Sequence, residues 1–253
     1  MQEEVTVSIQ NLHKAFGDKR ILRGVSLDIK KGEVMYVIGK SGSGKSVMLK
    51  HMTALMYPDQ GKLLIDGENI FDLKGKDLVR VRKKIGVLFQ YAALFDSLSV
   101  FENVAFTLRR FTNMSNEEIK DLVTEKLSLV GLKGVEDNRP SSLSGGMQKR
   151  VGLARAIAMQ PEIVLYDEPT TGVDPILASA VDDLILTLNR ELGVTTFVIS
   201  HDMKSTFHCA HRVAMLYEGE FIKIDKPEAF ENSNDPVLKQ FIDGKAEGPI
   251  SIL

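Results

Sequence analysis

Eight consecutive residues, Gly39, Lys40, Ser41, Gly42, Ser43, Gly44, Lys45 and Ser46, fit the pattern G-x-x-x-x-G-K-[ST] at every fixed position. The chemistry such a stretch performs is phosphate capture. Its glycines let successive backbone N–H groups converge on phosphate oxygens, and the helix start that follows favours negative charge. In that arrangement Lys45 reaches the β- and γ-phosphates of ATP and Ser46 ligates Mg2+. A second constellation lies far downstream, where the apolar run IVLY ends in Asp167 followed at once by Glu168. Two adjacent acids at a strand end can divide the work of hydrolysis, Asp167 holding the Mg2+ shell and Glu168 polarising the attacking water. Either feature alone has a plain structural explanation, a glycine-rich turn or a solvated charge pair. Together they describe a phosphate-loop protein, a description that kinases, GTPases, helicases and recombinases also satisfy.

Both constellations need a strand to hold them. VMYVIG at 34–39 is a continuous apolar run, suited to a buried parallel strand, and the VMLKHMTAL that follows the loop reads as a helix. Strand, glycine loop, helix is the context in which the motif carries meaning. Further strands are expected at 5–9, 25–29, 162–169, 195–202 and 212–219, with helices at 176–192 and 203–210, which implies a parallel sheet with helical crossovers. From about 95 to 145 the pattern turns helical, with SVFENVAFTLRRF and then a Ser115 cap followed three residues on by Glu118. That stretch reads as a helical subdomain inserted into an α/β core. Met48, Met52 and Met56 share a helical face and read as core filler.

Five further matches narrow the class. LSGGMQKR at 143–150 resembles the signature LSGGQ of ABC transporter ATPases, with Leu143, Ser144, Gly145 and Gly146 in place, Met147 at the usual Gln and Gln148 one position later. Gln90, after the apolar strand IGVLF, resembles the Q-loop glutamine that touches metal and water. Asp174 in TTGVDP resembles the D-loop aspartate, His201 in VISHD the switch histidine that contacts the γ-phosphate, and Phe16 in KAFGDKRIL the aromatic that stacks on adenine. Each alone has a bland alternative; their occurrence in family order over residues 5 to 230 identifies the chain as a member of that family. The resemblance implies a P-loop NTPase (RecA-like) ABC core with an antiparallel β-subdomain and an inserted α-helical subdomain. Its expected organisation is 1–94 for the first part of the core, 95–145 for the helical subdomain, 146–235 for the rest of the core and 236–253 for a tail. It also implies a homodimer in which the signature of one subunit, residues 143–148, closes on ATP held by the phosphate loop of the other. Catalytic roles fall to Glu168, His201 and Gln90, and the metal shell to Ser46, Gln90 and Asp167.

QYAALFDSLSVFENVAF at 90–106, with SGSGKSVMLKHM, DEPTTGVDPI and QFIDGKAEGPI, further resembles the Mla/MCE-type phospholipid transport ATPases. That implies a separate integral permease (MlaE-like), an MCE-domain protein and a small STAS-domain protein as partners, and lipid as cargo. Leu94, Phe95 and Leu98, apolar in a supposed surface loop, are the expected permease contacts. The tail, ending in ISIL, is expected to dock on the other subunit. A small-solute importer ATPase shares every catalytic motif and stays open. A soluble ABC ATPase acting on nucleic acid or ribosomes fits less well, because the chain carries one cassette and no coiled-coil insertion.

Composition agrees with this class. The 253 residues are 43% hydrophobic with a net charge of -2, which gives no basic face for nucleic acid. Cys209 is the only cysteine, so no intrachain disulfide can form and a reducing compartment, the cytoplasm, is expected. No signal pattern opens the chain and no apolar stretch nears the roughly 18 residues that span a bilayer. Attachment to an inner membrane is therefore expected to be peripheral. His208, Cys209 and His211 could suggest a metal, but zinc sites draw on paired, separated motifs, and a polar helix is the better reading.

Overall fold

The computed structural model describes residues 4–251. In chain order its elements are β1 (Val5–Phe16), β2 (Lys19–Lys30), β3 (Val34–Ile38), α1 (Lys45–Met52), β4 (Gln60–Ile65), β5 (Glu68–Asn69), α2 (Gly75–Lys83), β6 (Ile85–Leu88), α3 (Val100–Phe111), α4 (Asn116–Leu129), a 3-10 turn (Pro140–Ser142), α5 (Gly145–Ile157), β7 (Ile163–Asp167), α6 (Pro175–Leu192), β8 (Thr195–Ile199), α7 (Met203–Cys209), β9 (Arg212–Tyr217), β10 (Glu220–Asp225), α8 (Pro227–Glu231) and α9 (Pro236–Asp243). They form two compact units, one of residues up to 78 together with those from 195 onward, the other of residues 79–194. Among the described residues no helix is long and apolar enough to cross a membrane.

The first unit contains an antiparallel sheet in the order β2-β1-β4-β5. The strands expected at 5–9 and 25–29 are the ends of a much longer hairpin, which closes at Phe16 opposite Lys19 around Gly17. Register shifts between Ile9 and Ala15 break the in–out alternation there, which is why the middle of the hairpin does not read as strand. The same unit holds β10, β9, β3 and β8 in that order. β3 pairs in parallel with β8 and with β9, and both β3 and β8 are buried at every position, the physical origin of the unbroken apolar run of β3 and of the apolar FVI that ends β8. β10 is antiparallel to β9 and adds an antiparallel edge to the parallel strands; the turn at Glu218 and Gly219 has positive φ at both residues, as a tight hairpin requires.

The C-terminal stretch, expected to dock on the other subunit, makes contacts within its own chain. α9 is capped by Asp235, whose Oδ1 accepts the N–H groups of Val237 and Leu238. Beyond it the chain turns back. Ile250 is buried in a cluster with Ile38, Met215, Phe230 and Leu238 of its own chain. Gln240 grips it, Oε1 accepting from Ile250 N at 2.6 Å and Nε2 donating to Ile250 O at 3.1 Å. Ile252 and Leu253, the end of the ISIL motif, lie outside the described residues.

In the second unit β6 and β7 pair in parallel. Ser99 caps α3 and the Ser115–Glu118 capping box opens α4, as its sequence predicts. Val104, Leu108, Val123, Leu127 and Val151 are fully or almost fully buried, so α3, α4 and α5 share an apolar core. The helical character expected for 95–145 is present, and α5 carries the signature out of it.

Candidate functional site

The phosphate loop leaves the buried strand β3 at Gly39. A Cβ there would lie 2.3 Å from the carbonyl oxygen of Leu216, and Gly39 has φ +152, so only glycine fits. Gly44, at φ +109, caps α1 and packs against Ile21 and Leu22, where a Cβ would come within 3.0 to 3.2 Å. Within this cradle Lys45 is buried, and its Nζ donates to Gly39 O at 2.6 Å and Lys40 O at 3.1 Å. An ammonium held by its own loop carbonyls is pre-aimed at the loop's interior. The Ser43 hydroxyl is buried without a hydrogen-bond partner among the described residues, a donor in the loop that suits a phosphate oxygen. Ser46 and Lys40 are exposed at the mouth, and the Lys40 ammonium donates to the carbonyl of Ser251.

Two more predicted residues belong to this unit. Phe16, 49% exposed at the end of β1, has Lys14 Nζ 5.7 Å from its ring centroid, an open aromatic face with a cation beside it. His201 is exposed just beyond β8, and Asp202 next to it caps α7 by accepting from Lys204 N and Ser205 N. His211 is used structurally, its Nδ1 accepting from Val34 N at 3.1 Å.

The second unit positions the remaining candidates. Asp167 ends β7, and Glu168 follows with φ +52, a left-handed conformation uncommon outside glycine. Its Oε2 accepts from Thr171 Oγ1 at 2.8 Å. Ser144 caps α5 by accepting from Met147 N, leaving Ser144 and Gly145 exposed at the helix start. The other signature positions face inward. Leu143 is buried, Gly146 abuts Leu177 so closely that a Cβ would sit 2.4 Å from it, and the Gln148 amide donates to Pro140 O and Leu143 O. Asp174 caps α6, its Oδ1 accepting from Ile176 N and Leu177 N at 3.0 Å.

Gln90 is half-buried just beyond β6, at the start of a strained turn. Ala92 and Ala93 both have positive φ, and the Arg155 guanidinium holds them, donating to Ala92 O at 2.6 Å and Ala93 O at 2.8 Å. Burial lowers the pKa of Arg155 from its usual value. Beside the turn opens a cavity of about 440 Å³ lined by Phe89, Phe95, Phe106, Phe111 and Met159, with Arg82, Lys83 and Arg155 adding positive charge. Thr107 Oγ1, also in its wall, is buried without a hydrogen-bond partner among the described residues. Of the three expected permease contacts only Phe95 lines this cavity; Leu94 and Leu98 are half-buried elsewhere. Phe106 and Phe111 escaped the sequence reading because on an amphipathic helix an apolar residue gives no sign of whether its face is covered.

A glycine cradle with a buried lysine in one unit, and a carboxylate pair at a strand end with an exposed serine–glycine helix start in the other, are parts that a nucleotide-hydrolysing cassette carries. The ABC transporter family matches residues 22–171, and the chain belongs to that family. It is 38% identical over 244 residues to the intermembrane phospholipid transport system ATP-binding protein MlaF of Escherichia coli K12, covering 96% of this chain and 91% of that protein. It is 40% identical over 248 residues to the probable ribonucleotide transport ATP-binding protein mkl of Mycobacterium leprae, covering 98% of this chain and 72% of the relative. Its fold matches the dimeric post-hydrolysis structure of the ATP-binding cassette MJ0796 bound to ADP and Pi, with a TM-score of 0.80 and 35% identity over 87% of this chain and 98% of that one. The chain is thus an ABC ATPase, a class of protein that dimerises, uses ATP with Mg2+ and works with a membrane permease.

Proposed function

We propose that this chain hydrolyses ATP to drive phospholipid movement between two membranes through a separate permease. The observation that carries the cargo assignment is the match to MlaF along 91% of that protein's length, whereas the ribonucleotide-transport relative is matched over 72% of its own. Lys45 and the loop N–H groups bind the β- and γ-phosphates, Phe16 stacks on adenine, and Ser46, Asp167 and Gln90 hold Mg2+, which neutralises phosphate charge when bound. Glu168 orients a water and takes its proton as the water oxygen bonds to Pγ and the bond from Pγ to the bridging oxygen breaks, leaving ADP and phosphate. His201 steadies the γ-phosphate. Ser144 and Gly145 of a second copy, with Asp174 at the subunit boundary, complete each site, so the working form is a homodimer on the inner face of the inner membrane.

The cavity beside Phe95 supports a permease contact: an apolar, aromatic wall with a basic rim fits an amphipathic permease helix bearing an acidic residue. An MCE-domain protein and a STAS-domain protein complete the assembly in this reading. Purification of the membrane complex through a tag on this chain tests it. An MCE-domain protein and bound phospholipid in the complex support it. A soluble-solute receptor instead overturns the lipid assignment in favour of a small-solute transporter, the reading that the ribonucleotide relative favours.

A further inference from the structure

Lys149 lies in the second turn of α5, the helix whose first residues carry the signature, and its side chain has no obvious work in phosphate chemistry. It is 7% exposed. Its Nζ donates to two carbonyls of one short loop, Pro169 O and Thr171 O, both at 2.6 Å. That loop follows β7 and leads into α6. Its first residue is Glu168, which holds a positive φ, and non-glycine backbone of that kind costs on the order of 1 kcal/mol and persists only where neighbours fix it. Thr171 is the neighbour that does so twice. Its N–H donates to Glu168 O at 3.2 Å and its hydroxyl to Glu168 Oε2 at 2.8 Å.

The contacts form one continuous path: signature helix, Lys149 ammonium, the carbonyls of residues 169 and 171, the Thr171 hydroxyl, the Glu168 carboxylate. Charge-assisted bonds are roughly twice as strong as neutral ones, and a single ammonium that grips two carbonyls two residues apart fixes the curvature of the loop between them. Burial lowers the pKa of Lys149, and the charge of Glu168 opposes that lowering.

We infer that Lys149 is a positioning residue for hydrolysis: it clamps the loop 169–171 so that Thr171 holds Glu168 in its reactive orientation, and it thereby ties the aim of the base to the position of the signature helix. The inference rests on the reading of Glu168 as the base. In the dimer each α5 serves the nucleotide held by the other subunit, while Glu168 serves its own. Lys149 is then a mechanical link between the two nucleotide sites, present within a single chain.

The test uses the full-length chain in the membrane complex with which it purifies, with steady-state ATP turnover and nucleotide affinity as readouts. Lys149→Met should lower kcat by roughly tenfold to a hundredfold, the scale of a misplaced catalytic group, with KM for ATP changed by less than about threefold. Thr171→Val should do the same and Thr171→Ser, which keeps the hydroxyl, should not. The double variant Lys149→Met/Thr171→Val should be no slower than the slower single, because both break one path. An unchanged kcat in Lys149→Met, a loss confined to KM, or multiplicative losses in the double variant overturns the inference. Should Lys149→Met fail to fold, the Thr171→Val and Thr171→Ser pair decides: equal kcat values overturn it and a hydroxyl-dependent loss supports it. Glu168→Gln separates the two levels. Persistent turnover in that variant sinks the base assignment itself, whereas loss there beside a normal Lys149→Met sinks only the clamp.

Discussion

The Arg155 guanidinium donates to the carbonyl of Ala92 at 2.6 Å, joining the last turn of α5 to the left-handed turn that follows Gln90. The same group donates to Ala93 O at 2.8 Å and lies over the Phe95 ring. One half-buried side chain therefore sets the shape of the turn and one wall of the aromatic cavity. Arg155→Leu keeps much of the apolar bulk but leaves two carbonyls without their donor. The expected cost is about 1–3 kcal/mol of stability, read by urea denaturation. The permease should be lost from pull-downs while nucleotide affinity stays normal; retention of the permease at normal strength would refute the link between this turn and docking.

The carboxylate of Glu168 and the ammonium of Lys45 predict opposite mutant behaviour. Glu168→Gln preserves size and the contact with Thr171 but removes the proton acceptor, so ATP binding should persist while turnover falls by roughly a hundredfold or more. Size-exclusion chromatography with ATP and Mg2+ should then show an accumulated dimer. Lys45→Ala removes a buried cation from a cradle built around phosphate, and nucleotide affinity itself should fall. Normal nucleotide affinity in Lys45→Ala, or normal turnover in Glu168→Gln, contradicts the assignment concerned.

The parts that sequence exposed and the parts it hid differ in physical kind. Gly39, Gly44, Lys45 and Glu168 were legible because backbone geometry and charge force particular residue types at particular positions, and the structure places them on the strand ends and helix starts that those types require. β3 and the FVI end of β8 were legible because strands buried on both faces leave apolar runs. The long β1–β2 hairpin was not, because its bulges scramble the period. Nor were α2, β4, β10 and α9, elements of nine residues or fewer, too short to show a period clearly. Arg155 and Lys149 were hidden for another reason: a cation whose partners are backbone carbonyls from distant residues looks in sequence like any solvated helix charge.

The C-terminal fold-back has a measurable energy. Ile250 is 8% exposed and the Gln240 amide satisfies both of its backbone groups. Truncation after Gly244 removes the buried isoleucine and strips the Gln240 side chain of its partners, for an expected loss of about 2–4 kcal/mol. Because these contacts lie within one chain, the loss should be independent of protein concentration. A deficit that disappears on raising concentration, with weakened dimerisation at low concentration, would instead return the tail to the partner subunit.

His51 predicts a specific dependence on pH. It is fully buried in α1, edge-on to the Phe71 ring, and its Nδ1 bonds Val47 O at 2.7 Å. Burial lowers its pKa below the ordinary 6.5, against a smaller opposing effect from its backbone bonds. The unfolded chain therefore takes up a proton at a pH where the folded chain stays neutral. The sign follows: stability attributable to this residue is full above pH 6.5 and declines as pH falls toward the lower folded pKa. The slope of that decline cannot exceed about 1.4 kcal/mol per pH unit, the value for a single proton. In His51→Gln, which cannot take up that proton, urea unfolding between pH 7 and 5 should show a shallower loss of stability than the parent chain. Equal slopes in the two proteins would mean that His51 takes up its proton as readily in the folded chain as in the unfolded one.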